Sequence, residues 1–172
     1  SYTVGTDGNW ELIDEASHSW VFNLTSGKRI SGTWAYLTYL HEGTSTSYFY
    51  HFSDEGIMNY GWLLDKDGRW YYLSMDHDGW FGRMKTGWHA DPYDSRKYYF
   101  DSSTGYMMTG WLELDGRWYY FSPDQISQTW RYHESLARCE FLGTGERPYG
   151  SMYVQETTPD GYYVNRDGVF TD

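Results

Sequence analysis

The chain is poor in several residue types, and each shortage excludes a class of protein. One cysteine among 172 residues, Cys139, excludes an intrachain disulfide framework and a metal site built from several thiolates. No run of about 18 apolar residues occurs, so we predict no membrane-spanning helix and no membrane insertion. Lys and Arg total 13 against 24 Asp and Glu, without a basic cluster. A surface of this sign repels a phosphate backbone, so nucleic acid is not predicted as a partner.

Motifs for catalysis and metal binding are also scarce. The six His residues have no metal-ligand spacing, and no Gly-x-Ser-x-Gly motif is present. Asp65-Lys66-Asp67-Gly68 resembles part of a calcium loop but lacks the downstream glutamate of an EF-hand. A turn is the ordinary interpretation of such a segment, although calcium at the Asp-Gly turns stays open. We therefore predict no catalytic residues, no metal and no cofactor.

Aromatic residues, in contrast, are abundant. The chain has 10 Trp, 19 Tyr and 8 Phe, whereas all hydrophobic residues together make up only 40%. Aliphatic side chains are too few for a conventional interior, so aromatic rings must supply much of the packing. The 19 Gly residues favour turns and short strands.

The aromatic residues recur in a repeated motif. A Gly-Trp pair is followed by a turn and then by Trp-Tyr-Tyr in residues 61–73 and 110–121, with a looser copy in residues 87–100. Each copy closes on Gly and Met and runs into the next Gly-Trp. The Trp markers lie at Trp10, Trp34, Trp62, Trp88 and Trp111. This repetition predicts an all-β fold, an elongated solenoid of stacked β-hairpins with an atypical C-terminal capping unit.

The turns between the aromatic blocks support hairpins. Asp67-Gly68 separates two apolar segments, and Asp115-Gly116 repeats the signal. Period-two alternation places Trp70 and Tyr72 on one face of their strand. A single hairpin is marginal in water, so each must stack on its neighbours.

The repeats predict one array over residues 1–172. Its units lie near residues 8–32, 33–60, 61–86, 87–109 and 110–123. Residues 124–149 are irregular, and a short helix is expected near residues 134–138. A terminal hairpin is expected in residues 150–172, with strands at 149–154 and 160–164.

Residues 61–121 resemble the choline-binding, or cell-wall-binding, repeat family of Gram-positive surface proteins and their phages. That pattern is Gly-Trp, a turn with Gly, Trp-Tyr-Tyr with an aliphatic residue or Phe, and Gly-x-Met-x-Thr-Gly-Trp. Residues 8–60 match it in a degraded form, and residues 147–162 look like the terminal unit of such arrays. The resemblance implies a non-catalytic module that is attached to a separate catalytic or effector domain.

The resemblance also implies where a ligand binds. In the family, two aromatics of one hairpin and a Tyr or Trp of the next form a pocket, often with a Met nearby. Such a box of electron-rich faces suits a quaternary ammonium group. The best match is Trp62 with Trp70, closed by Tyr98 or Tyr99, with Met84 nearby. The other ligand-binding candidates are Trp111, Trp118, Trp34, Tyr50, Tyr72, Trp88 and Tyr120.

Two positions and one missing hairpin depart from the family pattern. Lys97 replaces the second Trp, which should disfavour a cation beside Trp88. The first unit has Ser19 at that position, so it is expected to be structural. The hairpin that should close the pocket of Trp111 is missing after residue 123, which leaves residues 124–149 to close it or leave it open. An alternative for all these rings is a purely structural role in the core.

The leading expectation is a module secreted and attached to the bacterial cell surface that binds choline-decorated teichoic acid. A cell-wall polysaccharide, such as a glucan or a peptidoglycan glycan, is the alternative ligand, because aromatic faces also stack on sugars. A structural spacer is a third possibility, and a homodimer stays open.

Overall fold

The computed structural model describes residues 1–92, 94–124 and 147–171, together with the backbone of residues 130–133 and 138–141. Within these residues every regular element is a β-strand, which confirms the all-β prediction. The same part of the chain holds no helix long and apolar enough to cross a membrane. The chain divides into two compact units: unit 1 is residues 1–85 with 132–139, and unit 2 is residues 86–131 with 140–172.

Unit 1 contains three antiparallel hairpins. The strands are β1 (Tyr2–Thr3), β2 (Gly8–Asp14), β3 (Ser19–Leu24), β4 (Thr33–His41), β5 (Thr44–Phe52), β6 (Gly61–Leu64) and β7 (Trp70–Leu73). The hairpins are β2–β3, β4–β5 and β6–β7, and β1 adds in parallel to β4. The core of unit 1 lies between the first two hairpins and is built on Phe22, Leu37, Tyr50, Phe52 and Met58.

Unit 2 also consists of antiparallel hairpins. The strands are β8 (Gly87–Ala90), β9 (Lys97–Phe100), β10 (Gly110–Leu114), β11 (Arg117–Phe121), β14 (Glu156–Thr157) and β15 (Tyr163–Val164). They pair as β8–β9, β10–β11 and β14–β15. Tyr119, Phe121 and Met152 form a buried cluster beside the second of these hairpins.

The irregular segment holds one more strand pair. Strands β12 (Trp130–His133) and β13 (Arg138–Phe141) form a two-stranded sheet. The helix expected near residues 134–138 falls mostly on residues 134–137, which lie outside the described residues, and Arg138 already begins β13.

The terminal hairpin has different strands from those predicted. Its first strand is Glu156–Thr157, not residues 149–154. Met152 instead bridges to Phe121, and its N–H donates to the carbonyl of Lys97 at 2.9 Å. The segment around Met152 therefore completes the preceding hairpin.

The two Asp-Gly signals make different turns. Asp115 and Gly116 form a two-residue loop in which both residues have positive φ, 52° and 77°, as a type I′ turn requires. The turn from Asp65 to Arg69 is longer, and only Gly68 has positive φ there. Glu42 and Gly43 form a second turn of the first kind, with φ of 47° and 79°.

After the hairpins β4–β5 and β6–β7 the chain returns to pair with the second strand and reaches back to the hairpin before. Met58 bridges Phe52, and its N–H donates 2.8 Å to the carbonyl of Trp20 in the previous hairpin. Met84 bridges Leu73, and its N–H donates 2.8 Å to the carbonyl of Phe49 in the previous hairpin. These bonds satisfy backbone groups that would otherwise be buried without partners, and they fix the spacing between consecutive hairpins within a unit.

The repeated Gly-x-Met motif has a steric reason. A Cβ at Gly82 would lie 2.4 Å from Sδ of Met58, and one at Gly150 would lie 2.2 Å from Sδ of Met107. The Met of one repeat thus packs on the bare backbone of the Gly that precedes the Met of the next. Only Gly leaves room for this thioether.

We expect Gly82→Ala to destabilise unit 1 by about 2–4 kcal/mol, through overpacking and through the φ of +92° at this residue. Met58 is 1% exposed, so its side chain has little room to move away. The measurement is urea unfolding of the full chain followed by Trp fluorescence.

Gly79→Ala is the matched control, because Gly79 lies in the same loop at φ +95° with no atom near the added Cβ. It should cost only about 1–2 kcal/mol. Equal losses for both variants would remove the packing of Met58 as the reason for the glycine.

Candidate functional site

Strand register places the repeated aromatics on one face of each hairpin. Trp62 lies opposite Tyr72, and Leu64 lies opposite Trp70, so these four side chains share a face. Trp111 opposite Tyr120 and Glu113 opposite Trp118 repeat the arrangement. The first Tyr of each Trp-Tyr-Tyr block points to the other face.

The best-matching predicted residues are brought together within their hairpin. The Trp62 ring lies 6.2 Å from the Trp70 ring at 74° and 5.5 Å from the Tyr72 ring at 73°. Trp62 and Tyr72 are buried, whereas Trp70 is half-buried. Met84 is half-buried and bridges Leu73 through its backbone. These residues belong to unit 1.

A cavity of about 410 Å³ lies in unit 1, and we call it the Trp10 cavity. It is lined by Trp10, Trp20, Tyr39, Tyr50, Met58, His77, Gly79 and Phe81. The Trp10 ring stands at 87° to Trp20, with centroids 6.4 Å apart, and at 69° to Tyr50, 5.3 Å away. Its Nε1 donates 2.8 Å to the hydroxyl of Tyr39, which fixes the ring. Three steeply inclined aromatic walls thus bound one space.

Sequence reasoning missed this cavity because the first hairpin contains a bulge. Leu12 pairs with Trp20 and Asp14 pairs with Ser19, so Ile13 is the extra residue. Trp10 pairs with Phe22, and Trp20 therefore occupies the position of Trp70, not Ser19. The expectation that the first unit lacks the second aromatic was wrong.

Tyr50 does not share a face with Trp34. It lies on the opposite face of its hairpin, is 1% exposed, and reaches the Trp10 ring of the preceding hairpin. Burial is the largest cause that raises the pKa of its hydroxyl, with the hydrogen bond from Tyr39 second. Tyr50 therefore remains neutral, and it lines the Trp10 cavity.

Trp34 meets the next hairpin through Tyr71, whose ring is 4.8 Å away at 62°. The Trp34 Nε1 donates 2.8 Å to a carboxylate oxygen of Asp65, whose other oxygen lies 3.4 Å from Nε2 of His51. The His51 ring is 4.8 Å from Trp34. The His51 imidazole, which lies between Asp65 and Trp34, thus occupies the position of Tyr72 in the following repeat.

Trp88 also contacts a tyrosine of the following hairpin, within unit 2. Its ring lies 5.4 Å from Tyr99 in its own hairpin and 4.9 Å from Tyr119 in the next. Lys97 pairs with Ala90 and shares the face of Trp88. Trp88 is 41% exposed, so one of its sides is open to solvent. Three aromatic rings are thus present, and the ammonium group of Lys97 stands at the strand position that Trp70 occupies in the preceding repeat.

The terminal hairpin closes on Trp111, so its successor is not missing, contrary to expectation. Trp111 contacts Tyr120, Tyr162 and Phe170 at 4.9, 6.0 and 5.9 Å. Its Nε1 donates 2.8 Å to Asp160. The hydrogen bonds from Thr158 and then from Trp111 hold the pKa of Asp160 below its ordinary value.

The other candidates of unit 2 divide between the two faces. Trp118 shares the face of Trp111 and is 44% exposed. Tyr120 also lies 5.0 Å from Tyr153. Tyr99 lies beside Trp88, whereas Tyr98 is buried on the opposite face and donates 2.5 Å to Asp94.

These arrangements suit a compact, weakly hydrated cation. Ring faces carry negative electrostatic potential, and steeply inclined rings direct several faces toward one point. In the described part of the chain, no group of three or more His, Cys, Asp or Glu side chains could hold a metal ion.

The fold defines a protein of repeated β-hairpins, each with a cluster of aromatic rings on one face. Residues 85–130 match the family model of the choline-binding repeat. This match confirms, over residues 85–130, the resemblance found in the motifs. Repeats of this family are generally binding modules without catalytic activity.

Solved structures agree with this assignment. Choline binding protein F of Streptococcus pneumoniae is 30% identical, with a TM-score of 0.51 over 95% of this chain and 47% of that protein. The same protein in the presence of a peptidoglycan analogue, a tetrasaccharide-pentapeptide, matches at 30%, with a TM-score of 0.50 over 95% and 46%. The pneumococcal cell wall endolysin of phage Cp-1, complexed with choline, matches at 25%, with a TM-score of 0.52 over 98% and 38%.

The chain therefore spans less than half the length of these structures. A comparison with curated proteins found no match.

Proposed function

We propose that this chain is a non-catalytic attachment module that holds a secreted protein on a bacterial surface by binding the choline groups of teichoic acid. The observation that carries the proposal is the Trp10 cavity, which Trp10, Trp20 and Tyr50 line, with the rings of Trp20 and Tyr50 each steeply inclined to the Trp10 ring. A trimethylammonium group cannot donate hydrogen bonds, so ring faces are the partners that suit it.

Repetition of the site supports attachment. Each cage contributes modest affinity, since one cation–ring contact adds about 0.5–2 kcal/mol. Several cages on one chain that meet several choline groups on one polymer raise retention through effective concentration. One relative supports this purpose, since the pneumococcal cell wall endolysin of phage Cp-1 was solved as a complex with choline.

A cell-wall glycan is the second candidate ligand. Three observations favour it. Trp88 and Trp118 are exposed, Lys97 offers hydrogen-bond donors on the face of Trp88, and one relative was crystallised in the presence of a peptidoglycan analogue. Sugar rings stack on open aromatic faces and use neighbouring polar groups for orientation.

Titration of the intrinsic Trp fluorescence should separate these ligands. We expect saturation by choline and no response to a soluble peptidoglycan fragment. The control is the neutral isostere of choline, in which a tert-butyl group replaces trimethylammonium, and it should bind at least about tenfold more weakly because it lacks the cation.

The reverse order, with the glycan saturating and choline silent, would establish the carbohydrate function. If the fluorescence responds to neither ligand, the chain would be assigned the role of a structural spacer. Equal binding of choline and its isostere would mean that the cages select shape and not charge.

A further inference from the structure

Two tryptophans of the repeated motif donate their indole N–H to a carboxylate of a later hairpin. In unit 1, Nε1 of Trp34 donates 2.8 Å to Asp65, which directly follows β6. In unit 2, Nε1 of Trp111 donates 2.8 Å to Asp160, which lies between β14 and β15. The same kind of bond thus occurs in both units.

Each of these tryptophans also lies in an aromatic cluster that the carboxylate borders. The first cluster, which we call the Trp34 site, consists of Trp34, His51, Tyr71 and Asp65. The second cluster, which we call the Trp111 site, consists of Trp111, Tyr120, Tyr162, Phe170 and Asp160. A cation that rests on either indole ring therefore lies close to a fixed negative charge.

A neutral acceptor is enough to hold an indole in place. Nε1 of Trp10 makes the corresponding bond, also at 2.8 Å, to the hydroxyl of Tyr39. The charge on Asp65 and Asp160 is therefore not needed for orientation. Its other effect is electrostatic, because an anion on the N–H raises the electron density of the ring and directly attracts a cation on the ring face. A neutral ligand gains from neither effect.

The two carboxylates differ in their surroundings, and Asp160 has the simpler ones. Its side chain is exposed, and the hydrogen bonds from Thr158 and then from Trp111 hold the pKa of this carboxyl below its ordinary value. Asp160 therefore stays ionised at every pH between about 5 and 8.

Asp65, in contrast, faces an imidazole. One of its oxygens accepts from Trp34, and the other lies 3.4 Å from Nε2 of His51, whose side chain is only 12% exposed. Nδ1 of the same ring lies 2.5 Å from Oδ1 of Asn59. A protonated ring can donate to both oxygens, and its charge then cancels that of Asp65. Because the ring also contacts Trp34, the imidazolium repels a cation at this site directly.

We propose that Asp65 and Asp160 select a cation over a neutral ligand at the tryptophans that they hold, and that His51 cancels this selection in acid at the Trp34 site. The proposal rests on choline binding as the proposed function, and it identifies two specificity-determining carboxylates and one proton-sensitive residue. The chain thus keeps one cation site over a range of pH in which it loses the other.

The change with pH comes from His51, because imidazole is the side chain that ordinarily titrates between about pH 5 and pH 8. The other titratable and charged groups around it and its partners are those of Asp54, Glu55, Asp65, Lys66, Asp67, Arg69 and Tyr71. Carboxylates, amino groups and guanidinium groups ordinarily keep their charge in this range. Burial, and then the hydrogen bond to Asp67, raises the pKa of Tyr71, so its hydroxyl stays neutral.

The test follows the indole N–H signals of the full chain by NMR, with the two signals of interest assigned by their loss in Trp34→Phe and Trp111→Phe. Titrations at pH 8 with choline and with its tert-butyl isostere then give the affinity of each site separately. Asp160→Asn keeps an oxygen that accepts from the indole but removes the charge. It should weaken choline about fivefold at the Trp111 site and leave the isostere unchanged. Asp65→Asn should have the same effect at the Trp34 site.

Asp115→Asn is the matched control, because it removes the same charge from an exposed turn of the hairpin that carries Trp111. Asn-Gly suits a type I′ turn as well as Asp-Gly does, so the hairpin should be unaffected. The preference for choline over the isostere should remain that of the wild type.

The comparison between pH values uses the wild type itself. From pH 8 to about pH 5.5, the affinity for choline at the Trp34 site should fall about fivefold, whereas that at the Trp111 site should stay within about twofold. His51→Gln should remove the fall. His41→Gln should keep it, since the His41 side chain belongs to the same unit and is 87% exposed.

Equal weakening of choline and of the isostere in the Asn variants would show that the carboxylates only position the indoles, which would overturn the proposal. Unchanged binding of choline in these variants, or the same pH dependence at both sites, would also overturn it. If choline moves neither indole signal of the wild type, the proposed function fails at these sites as well, so the two failures are distinguishable.

Discussion

Trp20→Ala is expected to weaken choline binding at the Trp10 cavity by about 2 kcal/mol, or roughly thirtyfold. The substitution removes one of three aromatic walls, the one that stands at 87° to Trp10. The fold should persist, because Trp20 is only half-buried and its backbone bond to the following repeat, from the N–H of Met58 to the Trp20 carbonyl, does not depend on the side chain. Calorimetric stoichiometry should fall by one site over the concentration range in which wild type saturates.

Trp80→Ala supplies the matched control for this result. Trp80 belongs to the same unit and packs on Tyr39 and Tyr48 at 5.0 and 4.9 Å, but it does not line the cavity. It should keep the wild-type stoichiometry. Unchanged stoichiometry in folded Trp20→Ala would assign Trp20 to packing and remove the Trp10 cavity from the choline sites.

Lys97→Trp is expected to create a choline site in unit 2. Trp88, Tyr99 and Tyr119 already provide three rings, and Lys97 lies on the face of Trp88. The substitution removes a like charge and adds the missing wall. The backbone contact of this residue, from the N–H of Met152 to its carbonyl, does not depend on the side chain. Calorimetry should count one more choline per chain than in wild type.

Lys97→Met separates the two effects, since it removes the charge without adding a ring. It should give at most weak binding at Trp88. If the ligand is a glycan, Lys97 donates hydrogen bonds to hydroxyl groups, and Lys97→Trp should weaken binding. The sign of the change thus distinguishes the two ligands. If Lys97→Trp changes the binding of neither choline nor the glycan, the aromatic residues around Trp88 serve packing alone.

The hairpins were predictable from the sequence because their signals are local. Alternation over four residues and an Asp-Gly turn specify Trp62 to Leu64 and Trp70 to Leu73 without reference to the rest of the chain. The shared face of Trp111 and Trp118 follows in the same way, from their spacing across a two-residue turn.

Closure between hairpins was harder to predict, because it depends on long-range packing. Tyr71 closes on Trp34, and Tyr50 closes on Trp10, each across a separation that no short motif specifies. A single bulge at Ile13 shifted the apparent alignment of the first hairpin by one residue and concealed Trp20. The loop between Leu73 and Met84, which brings His77 to the cavity, has no sequence motif that indicates where it packs.

The reach of Met58, Met107 and Met152 into the following repeat has a consequence for how such arrays grow. Gly82 accommodates Met58, and Gly168 accommodates Met152, whose Cε would lie 2.5 Å from an added Cβ. A gene duplication therefore must copy a segment that carries both the donor methionine and, at the other end, a receiving glycine. A duplication that begins and ends at the same point of the repeat would keep each methionine opposite a glycine and would yield a longer array that folds. A duplication with mismatched ends would place a methionine against a neighbour with no space for it. Selection for this packing contact would thus favour the recurrence of the methionine and the glycine, independently of the residues that contact a ligand.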